Sequence, residues 1–345
     1  MTQGIRCAVV KIGLADVAAR AQVSASTVSR VLNGRPGVNE ATRRAVLTAV
    51  DVLGYERPAA LRPRRTGLVG LIVPELSNPF FPRLADCIET ALAKRRYAPV
   101  LCSLTLGGTH EDDYVSMLQD NGVVGIVIVS GIHATVDADP ERYVGLLATG
   151  MPTVLVNGDL AGLPGVSTDD VAAGSLATSH LAHMGHRRIG LALGQERYTP
   201  AVRRREGFLR VMAAEAPEVA AADLVEHTTY TVEGGEAAAL RLLDSEVTGI
   251  VCGSDVMALG AIRAARSRGL RVPEDVSVVG SDDGMLMEFT DPPLTTVRQP
   301  ASALAERVCD FLVDQMAGVD PSTQSAILAP ELVVRQSSAR VRPTP

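Results

Sequence analysis

The chain has 345 residues, 46% of them hydrophobic and 21% charged. That length exceeds one ordinary core and implies at least two folded units; that balance excludes extended disorder. The net charge of -6 hides an asymmetry. Residues 1–66 carry 11 Lys and Arg against 4 Asp and Glu, a net +7, while the remainder carries 22 against 35, a net -13. A small basic head on a larger acidic body points to nucleic acid for the head.

No apolar run reaches the ~20 residues that span a bilayer. The segment Met1–Val10 lacks the long apolar stretch and cleavage site of a signal peptide, so a cytoplasmic location without membrane contact is expected. Cys7, Cys87, Cys102, Cys252 and Cys309 are odd in number, scattered, and free of CxxC pairs, the pattern of reduced thiols.

In chain order, Leu14, Val17, Ala18 and Ala21 recur at helical spacing on one face. Gln22-Val23-Ser24 interrupts that helix, and Ser24 can cap a second, with Val28, Val31 and Leu32 inward. Asn33-Gly34-Arg35-Pro36-Gly37 reads as a turn. Asn39 can cap a third helix running through Ala45, Val46, Val50 and Leu53 and stopped by Gly54. Residues 57–66, with two prolines and four arginines, read as a linker. From Leu68 onward, apolar runs at Leu68–Val73, Gly125–Val129, Thr153–Val156, Ile189–Leu193, Gly249–Val251 and Val276–Val279 predict buried parallel strands. Helical stretches at Arg83–Arg96, Ala172–Met184, Val202–Glu215, Gly234–Asp244 and Met257–Arg268 alternate with them. Such βαβ alternation predicts a doubly wound α/β fold, and so many strands predict two sheets sharing a cleft.

On the second helix, Ala25, Ser26, Ser29, Arg30 and Asn33 face outward. All but Arg30 are short, so the helix can lie deep in a major groove. Arg30 can then reach the O6 and N7 of a guanine with both arms of its guanidinium.

The run from Leu14 to Asn39, with Thr42-Arg43-Arg44 and Leu53-Gly54-Tyr55, resembles the headpiece of the LacI/GalR family. Val73–Phe81, Gly185–Gly190, Ser254–Ala261, Val279–Asp283 and Pro293–Pro300 resemble later signposts of that family, in order. The resemblance implies an all-α helix-turn-helix headpiece at 12–56, a linker at 57–66, and a periplasmic-binding-protein-like sensor at 67–338. It divides the sensor into an N-subdomain (67–160 and 296–318) and a C-subdomain (161–295 and 319–338). It implies base reading by Ala25, Ser26 and Arg30, and phosphate contacts at Ser24, Thr27, Ser29 and Asn33. Two departures stand out. Gln22 occupies a turn position usually held by Gly. Pro63 would break a hinge helix, leaving Leu61 as the one apolar wedge, with Arg62, Arg64 and Arg65 for phosphate or a narrow minor groove.

The implied effector is a sugar or related metabolite; a phosphorylated or nucleoside effector is the alternative. Ser77, Asn78 and Phe80 follow the first sensor strand, and Ser254 and Asp255 follow another, where such clefts bind ligands. Asp255 either lines the cleft or caps the next helix. Asp282 ends a strand, where its carboxylate can take two hydroxyls. The family's ligand-gripping Arg falls on Val202, so Arg203 stands in, with Arg204 and Arg205 beside it. There is no Trp, so stacking falls to Phe80, Phe81, Tyr198 or Phe289.

His183 and His186 have no third ligand near them in sequence, so no metal is expected. No GxxxxGK[ST] loop, no GxGxxG after a strand and no GxSxG elbow occurs, so neither a cofactor nor an enzyme is expected. The reading is a transcription regulator, in the first place a repressor, with an activator as the alternative. It would bind as a homodimer to near-palindromic double-stranded DNA and answer a small-molecule effector. An enzyme or binding protein with an accessory DNA-binding head is the reading from another class.

Overall fold

The computed structural model describes residues 12–33, 35–55, 66–104, 107–158 and 160–341. The chain forms two compact units, 1–65 and 66–345.

In the first unit, α1 (Leu14–Arg20), α2 (Ala25–Leu32) and α3 (Glu40–Leu53) pack around Val17, Ala18, Val28, Val31, Val46 and Ala49. Local chemistry sets the boundaries. Ser24 Oγ accepts from Thr27 N at 3.2 Å and starts α2; Asn39 Oδ1 accepts from Thr42 N at 2.7 Å and starts α3. Gly54, left-handed at φ 62°, ends α3. Gln22 also takes the left-handed region, at φ 55°, which costs an L-residue about 1–2 kcal/mol.

The second unit contains two six-stranded sheets. In the first lobe β1 (Gly67–Val73), β2 (Tyr97–Ser103), β3 (Gly125–Val129), β4 (Thr153–Val156), β5 (Gly165–Thr168) and β11 (Ser325–Leu328) run in the order β11-β5-β4-β3-β1-β2, all parallel. Around this sheet lie α4 (Phe80–Lys94), α5 (Glu111–Asp120), α6 (Glu141–Ala148) and α11 (Ala301–Met316). In the second lobe β6 (Ile189–Leu193), β7 (Val225–His227), β8 (Gly249–Cys252), β9 (Ser277–Asp282), β10 (Thr295–Arg298) and β12 (Glu331–Val333) run β12-β10-β9-β8-β6-β7; only the β10–β12 pairing is antiparallel. Its helices are α7 (Asp170–His183), α8 (Thr199–Glu215), α9 (Val232–Asp244) and α10 (Asp255–Ser267).

The lobe boundaries differ from the sequence expectation. β5 pairs with β4 and β11, so 165–168 and 325–328 belong to the first lobe; β10 pairs with β9 and belongs to the second. The chain therefore crosses near 169, 299 and 329, not at 161, 296 and 319. A four-residue apolar run carries no mark of the sheet it will join; pairing decides that. Several helices also begin earlier than their apolar period suggests, because Asp169, Thr231 and Ser254 cap them upstream.

The second lobe's helices approach closely. A Cβ on Gly174 of α7 would lie 2.1 Å from the carbonyl oxygen of Arg204 on α8. Only glycine admits that crossing, and the crossing brings Arg204 to Asp170 at the start of α7.

Candidate DNA interface and effector cleft

On α2, Ser24, Ala25, Ser26, Arg30 and Asn33 are exposed, and Thr27 and Ser29 are half-buried. Ser24 Oγ lies 2.8 Å from Ser26 Oγ and 2.9 Å from Thr27 Oγ1; Asn33 Nδ2 donates to the Ser29 carbonyl at 2.6 Å. The N-termini of α2 and α3 open into one shallow hollow lined by Ser24, Ser26, Thr27, Arg30, Asn39 and Thr42. Two helix N-termini and one guanidinium around a hollow suit an anionic oxygen. Asn39 and Thr42 are additions to the expected set; the sequence offered Asn39 only as a cap. Leu61, Arg62, Pro63, Arg64 and Arg65 lie outside the described residues.

The sensor's cleft is a cavity of about 380 Å³ between the carboxyl ends of the two sheets. Its first-lobe wall comes from the segment after β1 (Pro74, Glu75, Ser77, Asn78, Phe80, Phe81), from Ser130 and Ala134 after β3, and from Asn157 after β4. Phe80 and Phe81 meet edge to face at 5.5 Å. Asn78 Oδ1 accepts from Phe80 N at 3.1 Å and so fixes the entry into α4. Ser130 and Asn157 hold left-handed φ values of 45° and 63°, and Asn157 Nδ2 donates to Ser130 Oγ at 3.1 Å.

The opposite wall carries the buried charges. Arg204, buried, donates through Nε to Asp170 Oδ1 at 2.9 Å and through Nη1 to the Gly253 carbonyl at 2.6 Å. Burial opposes its charge, but Asp170 and the neighbouring Tyr230 and Asp282 hold the guanidinium above its ordinary pKa. Burial leaves Asp170 above the usual carboxylate range even against the pull of Arg204. Asp282, at φ 114°, accepts from Gln299 Nε2 at 2.6 Å, and Gln299 Oε1 accepts in turn from Thr168 Oγ1 at 3.1 Å. Burial raises the Asp282 pKa, opposed by Arg204 and by the Gln299 bond. The Tyr230 ring lies against Gly194, where a Cβ would sit 1.9 Å from its Cε2. Gln195, Arg197, Tyr198, Pro200, Thr229 and Thr231 complete this wall, with the Arg197 guanidinium 4.8 Å from the centroid of the Tyr198 ring.

Of the expected ligand residues, Ser77, Asn78, Phe80, Tyr198 and Asp282 line this cavity. Arg203 does not; Arg204, one position and about 100° further round α8, takes its place. Ser254 is buried and caps α10, accepting from Met257 N at 3.3 Å. Asp255 is buried behind the wall, accepting from Thr296 Oγ1 at 2.5 Å and Gly284 N at 2.7 Å; burial and the nearby Asp282 raise its pKa. β8 ends at Cys252, so Gly253 faces the cavity while the next two residues turn into α10. Phe289 is 76% exposed and off the cavity, which removes it as a stacking ring; the expected Phe80, Phe81 and Tyr198 line the cavity, and Tyr230 is an addition. Ser130, Asn157, Gln195 and Gln299 were missed. For Ser130, Asn157 and Gln195 a signal was available, since each is the first polar residue after an apolar strand run; Gln299 follows the polar strand Thr295–Arg298 and had none.

Among the described residues no group of three or more His, Cys, Asp or Glu could hold a metal ion, and no helix is long and apolar enough to cross a membrane.

Residues 13–58 match the family described as bacterial regulatory proteins, lacI family, and residues 178–338 match a periplasmic binding protein-like domain. An HTH-type transcriptional regulator of Streptomyces coelicolor, MalR, is 53% identical over 331 residues, covering 94% of this chain and 96% of MalR. A solved complex of the transcriptional regulator CelR with cellobiose is 33% identical, with a TM-score of 0.70, covering 94% of this chain and 99% of that one. A LacI family transcriptional regulator of Enterococcus faecium with bound ribose is 28% identical, with a TM-score of 0.70, covering 80% of this chain and all of that one.

Proposed function

This chain belongs to the lacI family of bacterial regulatory proteins, and from that premise we propose that it is a repressor whose operator affinity is set by a neutral sugar in the sensor cleft. The observation that carries the effector reading is the charge pairing of the cleft wall. Arg204 is committed to Asp170 and a carbonyl, so the wall offers hydroxyl-sized donors and acceptors beside aromatic rings. A phosphorylated effector would call for an uncommitted buried cation. The ribose- and cellobiose-bound relatives support a sugar, and a cavity of about 380 Å³ suits one of disaccharide size. Asp282 and Asn78 hold its hydroxyls, and Tyr198, Tyr230 and Phe80 face its ring.

On the DNA side, Arg30 reads a base with Ala25 and Ser26, while Ser24, Thr27, Ser29 and Asn33 contact phosphate. One headpiece covers few base pairs, so a homodimer on a near-palindromic operator in the cytoplasm is the working form. Met285, Leu286 and Phe289, each more than 60% exposed on one loop, support a second copy as partner.

The test is a titration of the DNA upstream of the chain's own gene, with and without a panel of neutral disaccharides. Wild type binds, and one sugar shifts the affinity about 5–150-fold. Arg30→Ala loses about 1–3 kcal/mol of discrimination at one base pair per half-site. Equal weakening on every operator variant would remove Arg30 as a base reader. Indifference to all the sugars would remove the neutral-sugar reading.

A further inference from the structure

Glu111 is a buried carboxylate 3% exposed, at the start of α5 and outside the cavity lining. Taking a carboxylate out of water is costly unless its oxygens are satisfied. Here Oε2 accepts from Ile132 N at 3.0 Å and Oε1 accepts from Tyr143 Oη at 2.8 Å. Arg142 Nε stands 3.6 Å from Oε1. The Tyr143 hydroxyl in turn accepts from His133 N at 2.9 Å. One carboxylate and one phenol thus hold two consecutive backbone amides. Below them His133 Nε2 pairs with the Val156 carbonyl at 2.9 Å, and the His133 and Tyr143 rings meet edge to face at 5.7 Å. Gly131 makes room for the arrangement, since a Cβ there would lie 2.0 Å from Glu111 Oε2.

The segment so held does two things. Ala134 forms part of the cavity wall. The next two residues reach the other lobe: Thr135 bridges Tyr198 in antiparallel fashion, and Val136 N donates to the Arg197 carbonyl at 2.9 Å. Arg197 and Tyr198 are themselves cavity residues. The first lobe's wall and its backbone tie across the cleft therefore share one support.

We propose that Glu111 and Tyr143 are positioning residues for the effector cleft, fixing through Ile132 and His133 the segment that walls the cavity at Ala134 and bonds across it to Arg197 and Tyr198. The role in effector retention rests on the cleft being the effector site; the role in fixing the segment does not. The carboxylate–phenol pair holds the tie in register, and the tie slows departure of whatever the cleft encloses.

The experiment has two arms, both on the full chain. In the first, amide hydrogen exchange is followed without ligand. Tyr143→Phe removes one hydroxyl and keeps the ring. It removes both the bond to Glu111 and the bond from His133 N, speeds exchange in residues 132–136 about 10–100-fold, and leaves β3 and β4 as in wild type. Unchanged exchange in 132–136, or equal acceleration throughout the lobe, would overturn the proposal. In the second arm, cellobiose and maltose dissociation is timed by stopped flow. Val136→Pro deletes the donor of the tie; Thr135 before it is already extended, at φ −91° and ψ 154°, as a residue preceding proline must be. Val136→Ala keeps the N–H and releases sugar at the wild-type rate. Tyr143→Phe and Val136→Pro each release it about tenfold faster, and the double variant no faster than Val136→Pro alone. Multiplying effects in the double variant would show that Tyr143 acts elsewhere and overturn the proposal. If wild type takes up neither sugar, the disaccharide reading fails, and the exchange arm alone decides the positioning role.

Discussion

The headpiece displays its candidate reading groups on one eight-residue helix and its flanking caps, above a core of six small buried side chains. The cleft collects its groups from strand ends scattered between Pro74 and Gln299, and it buries the charges of Arg204 and Asp282. Reading DNA needs short exposed side chains on a rigid rod, because the partner supplies the charge and the groove. Gripping a small neutral molecule needs an enclosing wall, and a wall with charges in it must neutralise them internally. The two regions should therefore fail differently. A headpiece is lost by removing core; a cleft is lost by leaving a buried charge without its partner.

The largest effect tests the second half of that contrast. Arg204→Met strands the Asp170 carboxylate and is expected to destabilise the sensor by about 3–5 kcal/mol, read by urea unfolding. A fall below 1 kcal/mol would mean that solvent reaches the site and that the pairing is loose. The headpiece counterpart is Val28→Ala. Val28 is fully buried in a core with few other members, so its loss costs about 2 kcal/mol there. Operator affinity falls while the sensor's thermal transition stays in place. A shifted sensor transition would show that the two units do not fold independently.

A smaller effect concerns acidity. Burial raises the Asp282 pKa, so the native state holds that proton more tightly than the unfolded chain does. Sensor stability therefore declines as pH rises from about 4, the unfolded value, through the raised one. Asp255, raised in the same direction, adds to the decline. Asp282→Asn keeps an acceptor for Gln299 and flattens the slope; unfolding at pH 5 and pH 8 measures it. An unaltered slope would mean that Asp282 is not desolvated. The smallest effect returns to the headpiece. Gln22→Gly relieves the left-handed strain at φ 55° and, after glycine's greater chain entropy, stabilises the unit by about 0.5 kcal/mol. A destabilised headpiece would mean that the Gln22 side chain contributes contacts outweighing its strain.

Much of the headpiece was legible because its information is local. A cap, an apolar period and a turn residue each act within four positions, so Ser24, Asn39 and Gly54 declare their own roles. The six expected sensor strands lie where apolar runs mark them. The cleft was legible in part. Strand ends pointed to Asn78 and Asp282, but strand β8 also pointed to Ser254 and Asp255, which turn away into α10. Three consecutive arginines left the phase of α8 open, and a residue's phase on a helix cannot be read from composition.

The sequence by itself determined the helix-turn-helix and the two-sheet α/β sensor, for which short-range capping and the periodic burial of apolar side chains suffice; its charge count marked the basic head, and the ordered motifs carried the resemblance to the family. Only the tertiary structure decided that Arg204 rather than Arg203 enters the cleft, because the close crossing of α7 and α8 sets which face of the helix meets Asp170. It alone placed β5 and β11 in the first lobe and β10 in the second, since a four-residue strand is assigned by the partner it bonds to. It alone joined Glu111 to Ile132 and Tyr143, residues 21 and 32 positions away, whose pairing with a buried carboxylate no local pattern encodes.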